Sequence, residues 1–159
     1  MKEDQNSAEL QDLYRELILN HARKPRNFGR LNEVTHTAEG INPLCGDKLR
    51  LYLHVDSGHM ITNVGFEGSG CAISMASASL LTETVNNLSM ADASSCFGLI
   101  TSRLTRQNGD NPAPETVDLS KLRALDGVSQ HPTRIKCATL AWHTLHAALT
   151  QATSIATTE

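Results

Sequence analysis

The sequence predicts an α+β fold, in which a small antiparallel β-sheet has helices packed on one face. Segments with alternating apolar residues, typical of half-buried strands, fall in the first half of the chain, and most segments with helical periodicity follow them. The chain has 159 residues, of which 40% are hydrophobic, which is enough for one ordinary core. We therefore expect a single domain over residues 1–159, with a frayed tail at 150–159.

The first half of the chain predicts one helix followed by strands. Apolar residues recur at helical spacing until Pro25 ends the helix. Two later segments alternate between apolar and polar side chains, and the turn sequence Asp56-Ser57-Gly58 between them predicts a β-hairpin. The helix covers residues 6–23, a weakly extended segment covers 33–42, and the hairpin strands cover 48–56 and 60–66.

The second half predicts helices. Small residues after Cys71 suit a closely packed helix, and Ser89 with Asp92 three residues later is typical of a helix N-terminus. Pro132 occupies a favourable first position for the last helix. The helical segments cover residues 71–81, 89–104, 119–125 and 132–149, and the Asn-, Gly- and Pro-rich residues 107–115 form a loop.

Composition excludes several classes of function. The net charge is −3, whereas proteins that bind nucleic acid or an anionic membrane usually carry excess positive charge. No apolar run approaches the roughly 20 residues of a membrane helix, and the charged N-terminus lacks a signal-peptide pattern. We expect a cytoplasmic protein, in which the four cysteines stay reduced and serve as metal ligands, reactive groups or core residues.

The triplet Cys45-Gly46-Asp47 is the most informative candidate site. A thiolate and a carboxylate two residues apart can face one ion if Cys71 and Cys137 arrive from elsewhere in the chain. Three sulfurs and one oxygen suit Zn²⁺, and they could also hold an iron-sulfur unit. Structural zinc sites usually contain only Cys and His, so the carboxylate indicates a site in which one ligand can be exchanged. The alternative interpretation is that the cysteines are small buried hydrophobic residues.

Residues near the cysteines fit this chemistry. Glycine at position 46 permits backbone angles that turn both neighbouring side chains toward one ion. Cys71 is predicted at a helix N-terminus, where the helix dipole favours a thiolate. Arg134 and Lys136, close to Cys137, would offset negative charge and lower thiol pKa values, although they could also be solvated surface cations.

Three other residues are predicted to be structural. Cys96 lies on a predicted helix beside apolar residues, which indicates a core position. His143 and His146 stand three residues apart on the last helix, a spacing that a metal could use. Since they follow Cys137 by a turn or more, we interpret them as packing or surface groups.

Four separated motifs occur in order between Leu13 and Trp142. They are Leu13-Tyr14-Arg15 with His21, Pro25, Asn27 and Gly29; Asn42-Pro43-Leu44-Cys45-Gly46-Asp47; Gly68-Ser69-Gly70-Cys71-Ala72-Ile73-Ser74-Met75-Ala76-Ser77-Ala78-Ser79; and Arg134-Ile135-Lys136-Cys137-Ala138-Thr139-Leu140-Ala141-Trp142. Together they resemble the U-type iron-sulfur cluster assembly family, which comprises the NifU N-terminal domain, IscU and SufU. The resemblance implies a SufE/NifU-like sandwich with Cys45, Asp47, Cys71 and Cys137 as metal ligands at one tip.

The resemblance also implies a function and partners. The family receives sulfur that a pyridoxal-phosphate cysteine desulfurase, here SufS-like, removes from cysteine. The sulfur then passes to downstream iron-sulfur assembly proteins or apo-acceptors. The chain would thus be a sulfurtransferase-type sulfur carrier that works with a desulfurase rather than a stand-alone enzyme.

Within the family, the sequence is more similar to SufU than to IscU. Lys136 stands where IscU-type scaffolds have His, and residues 130–133 lack the Leu-Pro-Pro-Val-Lys sequence that a dedicated chaperone recognises. The stretch over residues 89–130 is also longer than in IscU. A chaperone of the IscU type is therefore not expected as a partner.

The two branches imply different cofactors and sulfur acceptors. Resemblance to SufU implies Zn²⁺, with Cys45 as the thiol that accepts sulfur and Arg134 as a contact to the desulfurase. Resemblance to IscU implies Cys137 as the acceptor, in a scaffold that assembles and transfers a [2Fe-2S] cluster on the same ligands. The sequence leaves this choice open.

Overall fold

The structure, a computed structural model, describes residues 2–105, 120–151 and 156–157. The predicted loop at 107–115 lies outside these ranges. The elements are α1 (Lys2–Arg23), β1 (His36–Asn42), β2 (Asp47–Val55), β3 (Ile61–Ser69), α2 (Ala72–Val85), α3 (Met90–Leu104), a 3₁₀ helix (Ser120–Gln130), α4 (Pro132–Thr150) and β4 (Ala156–Thr157). Along the described stretches, no helix combines the length and apolar character that crossing a membrane requires.

The sheet has the strand order β3-β2-β1-β4. β1 with β2 and β2 with β3 are antiparallel, so the predicted α+β class is confirmed. β4 adds a short parallel pairing to β1, in which Gly40 stands opposite Ala156. Residues 156–157 belong to the tail expected to fray, and the open edge of β1 offers them backbone hydrogen bonds. Residues 152–155 and 158–159 lie outside the described part.

The core lies between the sheet and two helices. Alternate residues of β2 face this core, as the period of the strand requires. α4 covers β1 and β2, α2 packs on β3, and the Trp142 side chain is fully buried. A side chain at Gly40 would collide with the Thr144 hydroxyl, so glycine in β1 allows the close approach of α4. The buried apolar residues of β2 are Leu49, Leu51, Tyr52, Leu53 and Val55.

The outer helices are attached through hydrogen bonds as well as apolar contacts. α1 begins at Lys2, four residues before the predicted start, and packs on α2. Near its end, His21 Nδ1 lies 2.7 Å from Ser79 Oγ, which also accepts the backbone N–H of Arg26 at 2.8 Å. At α3, the Ser89 hydroxyl accepts the backbone N–H of Asp92 at 3.0 Å, which confirms the predicted N-terminal cap.

The interface of α3 with α4 contains the three residues predicted to be structural. Cys96 is fully buried, and burial, followed by the nearby charge of Asp92, raises the pKa of its thiol to about 11. The Phe97 ring stacks on His146 at 4.6 Å between centroids and meets His143 edge-on at 5.3 Å. Burial, and then the neighbouring His146, lowers the pKa of His143. All three residues contribute to packing between the helices.

Candidate metal centre

The candidate site forms where a strand connection meets the beginnings of two helices. Cys45 lies in the connection between β1 and β2, and Asp47 is the first residue of β2. Cys71 occupies the N-cap position of α2, and Cys137 is the sixth residue of α4. Gly46 has a φ of 71°, a left-handed conformation that glycine adopts at little cost, so the predicted reason for a glycine there agrees with the backbone.

Three of the four predicted ligands meet at one tip of the sheet, and the fourth, Cys71, contacts one of them through its backbone. The Sγ atoms of Cys45 and Cys137 and a carboxylate oxygen of Asp47 all lie within 4.8 Å of one another. Cys71 is not part of that group, but its backbone N–H donates to Asp47 Oδ1 at 2.9 Å. Its side chain lines the same groove as Cys45 and Cys137. The structure thus brings residues 92 positions apart (137 minus 45) to one point.

Gly70 allows the carboxylate of Asp47 to approach the start of α2. A Cβ atom at this position would lie 2.6 Å from Asp47 Oδ1 and would also collide with the Ser74 hydroxyl. Any larger residue would push the carboxylate away from the Cys71 N–H. The second glycine of the Gly68-Ser69-Gly70 turn therefore has a role in building the site.

Burial differs strongly among these residues. The thiols of Cys45 and Cys71 are exposed, whereas Asp47 is 1% and Cys137 is 3% exposed. Burial is the main cause that raises the pKa of the Cys137 thiol far above its ordinary value, and the side chains of Asp47, Cys45 and Cys71 add to the rise. A divalent cation would offset the cost of a buried thiolate. Since three thiols and one carboxylate are common zinc ligands, the donor set fits Zn²⁺ and also an iron-sulfur unit.

An open groove with a volume of about 1200 Å³ leads to the thiols. Its walls come from α1, the 3₁₀ helix and the beginning of α4. The charged side chains that line it are Arg15, Arg123, Arg134 and Asp126, beside His131 and the thiols of Cys45, Cys71 and Cys137. Arg134 is exposed there, as a partner contact would require. Lys136 is half-buried and is not among the described residues that line the groove.

Sequence reasoning assigned no role to Asn42, which lies directly beneath the site. Its side chain is fully buried, and Nδ2 donates to Asp47 Oδ2 at 3.4 Å and to Cys137 Sγ at 3.6 Å. The polar residue just before Pro43 in the Cys45 motif was the available signal. Arg15 and Arg123 were missed as well, because only the fold brings α1 and the 3₁₀ helix to the same groove.

Comparisons with known proteins find relatives that cover most of this chain. The family model described as the NifU-like N-terminal domain matches residues 13–104, more than half of the chain. The zinc-dependent sulfurtransferase SufU of Bacillus subtilis is 40% identical over 139 residues, which cover 87% of this chain and 90% of the relative. The iron-sulfur cluster assembly scaffold protein IscU of Streptococcus pyogenes is 34% identical over 142 residues, covering 89% and 86%.

Solved structures agree with the sequence relatives. FiSufU, a protein of the SUF system from Fervidobacterium islandicum, superimposes with a TM-score of 0.74 at 30% identity, covering 84% of this chain and 94% of that one. The N-terminal part of a NifU-like protein from Brucella abortus gives a TM-score of 0.76 over 89% and 95% of the two chains. At 22% identity, this second likeness shows the fold alone. With its motifs, fold and relatives in agreement, the chain belongs to the NifU-like N-terminal domain family of iron-sulfur cluster assembly proteins.

Proposed function

We propose that the protein is a zinc-bound sulfur acceptor that takes persulfide sulfur from a cysteine desulfurase and passes it to cluster assembly. One observation carries this proposal: the exposed Cys45 thiol lies within 4.8 Å of the buried Asp47 and Cys137, beside an open groove. An exposed thiol can meet the persulfide of another protein, whereas the buried Cys137 is poorly accessible. Cys45 is therefore the acceptor in this proposal, with Cys137 as the alternative.

Zinc would be held by Cys45, Asp47, Cys71 and Cys137, and when bound it would keep the thiols deprotonated near neutral pH. Both oxygens of Asp47 already accept hydrogen bonds, Oδ1 from the Cys71 N–H and Oδ2 from Asn42. These donors hold the carboxylate in place for the ion. As the one oxygen ligand beside three thiolates, Asp47 is the position at which we propose that ligands exchange.

The transfer requires no outside oxidant or reductant. The Cys45 thiolate attacks the outer sulfur of the donor's persulfide, and a new S–S bond forms. The old S–S bond breaks, and its electron pair leaves with the donor cysteine as a thiolate. The persulfide then resides on Cys45, ready for the same exchange with the next acceptor.

The groove supports a protein as the sulfur donor. Its exposed Arg15, Arg123 and Arg134 provide positive charge beside the cysteines, which favours an anionic persulfide on an approaching segment. Arg134, at the start of α4, is the proposed desulfurase contact. Lys136 remains proposed as a nearby cation that offsets thiolate charge, acting from outside the groove lining.

The test combines zinc analysis with desulfurase turnover, using protein purified without added metal. We expect near-stoichiometric zinc, strong stimulation of a SufS-like desulfurase, and a mass increase of one sulfur atom on Cys45. Cys45→Ala should abolish stimulation and persulfide formation, whereas Cys96→Ala, at the buried cysteine outside the site, should retain both. Full stimulation by Cys45→Ala would contradict the proposal, and a persulfide confined to Cys137 would reassign the acceptor.

A second candidate function is a scaffold for a [2Fe-2S] cluster on the same ligands. It is favoured by the relatives from Streptococcus pyogenes and Thermotoga maritima, 34% and 36% identical, which are called iron-sulfur cluster assembly scaffold proteins. Anaerobic reconstitution with iron and sulfide in the absence of zinc separates the two. A stable visible chromophore that transfers to an apo-protein would favour the scaffold.

A further inference from the structure

We propose that Asn42 is the positioning residue that preorganises the metal ligands, an inference that rests on metal binding in the proposed function. Asn42 is the last residue of β1 and stands opposite Asp47 in the register of β1 with β2. It contacts three of the four candidate ligands. Its backbone carbonyl accepts the Cys45 N–H at 3.3 Å, and its side-chain Nδ2 donates to both Asp47 and Cys137.

The chemistry of an asparagine amide suits this place. An amide nitrogen has two hydrogens to donate and carries no net charge. The atoms that Asn42 Nδ2 faces, a carboxylate oxygen and a sulfur, are acceptors when both residues bind a metal. A neutral donor can therefore orient two anionic ligands without repelling the cation that they hold.

The burial of Asn42 indicates that these bonds are the reason for the residue. A fully buried amide is costly unless it is hydrogen-bonded. Among the described groups, Asn42 Oδ1 has no hydrogen-bond partner, so only the NH₂ side of the amide offsets this cost. A purely apolar residue would suit the position better if it served packing alone.

The arrangement clamps the Asp47 carboxylate from two sides. The Cys71 N–H holds Oδ1, and Asn42 holds Oδ2 while also reaching Cys137, which is 95 residues further along the chain. One side chain thereby links the strand ligands to the helix ligand before the metal arrives. Loss of such a partner behind metal ligands typically lowers metal affinity by about 10- to 100-fold.

The test replaces Asn42 with leucine, which has a similar shape and no polar atoms. Zinc affinity is measured by competition with a chromophoric chelator, and Co²⁺ replaces zinc to report ligand geometry through its visible bands. We expect Asn42→Leu to weaken zinc binding by at least about 10-fold and to alter the Co²⁺ spectrum. The matched control is Asn86→Leu, where another buried Oδ1 lacks a partner, about 20 Å from Cys71 along α2.

Circular dichroism and thermal unfolding of the metal-free variants separate positioning from folding. A role in stability alone would lower the melting temperature while leaving zinc affinity and the Co²⁺ spectrum of the folded variant unchanged, and that result overturns the proposal. If the unsubstituted protein does not bind zinc, the proposed function is wrong. If it binds zinc and Asn42→Leu binds zinc equally well, only the proposed role of Asn42 is wrong.

A measurement on the parent protein keeps the test decisive if Asn42→Leu does not fold. With ¹⁵N-labelled asparagine, the side-chain NH₂ signals of Asn42 should shift and exchange more slowly with solvent when zinc is added. The Asn86 signals serve as the internal reference. An Asn42 amide that zinc leaves unchanged would refute the proposal.

Discussion

Replacing Gly70 with alanine should displace the Asp47 carboxylate from the backbone N–H of Cys71 and so weaken the candidate metal centre. The new Cβ atom would lie 2.6 Å from Asp47 Oδ1, well inside van der Waals contact. The carboxylate must then move and give up the Cys71 N–H that now lies 2.9 Å away. Gly70 is not among the glycines with positive φ, so steric overlap is the cause rather than backbone strain.

The expected loss of stability is the balance of two costs and one gain. A hydrogen bond to a charged group contributes about 1.5–3 kcal/mol, and overpacking costs about 1–3 kcal/mol. Partial relaxation of Asp47 and Ser74 makes these costs less than additive, and the reduced freedom of the unfolded chain returns about 0.4–1 kcal/mol. We therefore expect Gly70→Ala to lower the free energy of unfolding by about 2–3 kcal/mol.

Urea denaturation of the metal-free protein under reducing conditions measures this change, and chelator competition measures zinc affinity. Gly127→Ala is the matched control, because a Cβ atom there would meet nothing within 4 Å. Zinc binding should weaken in Gly70→Ala and remain at the parent value in Gly127→Ala. Equal stabilities and equal zinc affinities in the two variants would refute the geometric reasoning.

Three further predictions concern the core. Burial, then Arg26, lowers the pKa of His21, so the folded protein binds a proton at this residue less tightly than the unfolded chain does. The resulting stability is present above the ordinary histidine pKa of about 6.5 and is lost as pH falls. Between about pH 7.5 and 5.5, the free energy of unfolding should therefore fall further in the parent protein than in His21→Gln. The raised pKa of Cys96 predicts a loss of stability as pH rises, because the unfolded chain releases this proton more readily than the folded protein. The free energy of unfolding should fall by up to roughly 2–3 kcal/mol between pH 9.0 and about 11, and by less in Cys96→Ala. Ser77→Ala leaves the buried Trp142 N–H, now 3.1 Å from Ser77 Oγ, without its acceptor and should cost about 1–3 kcal/mol in urea denaturation.

Much of the fold was predictable because its signals are local. The alternation in residues 48–56 anticipates β2 within a residue, since a strand with one buried face must change polarity with a period of two. Ser89 and Pro132 mark the beginnings of α3 and α4 because helix caps depend on backbone groups a few residues away. The pairing of residues 156–157 with β1 was missed, since it depends on an edge exposed far earlier in the chain.

The donor types of the candidate site could be read from the motifs, which identify Cys45, Asp47, Cys71 and Cys137 as ligand candidates, because side-chain chemistry needs no coordinates. The exposure of Cys45, the burial of Cys137 and the contacts of Asn42 with two candidate ligands follow from the folded packing and have no local sequence signal. Burial and hydrogen bonding at this site arise from contacts between residues up to 95 positions apart. The spacing of residues specifies which atoms are available to a metal, and packing specifies their accessibility, their charge and their distance from one another.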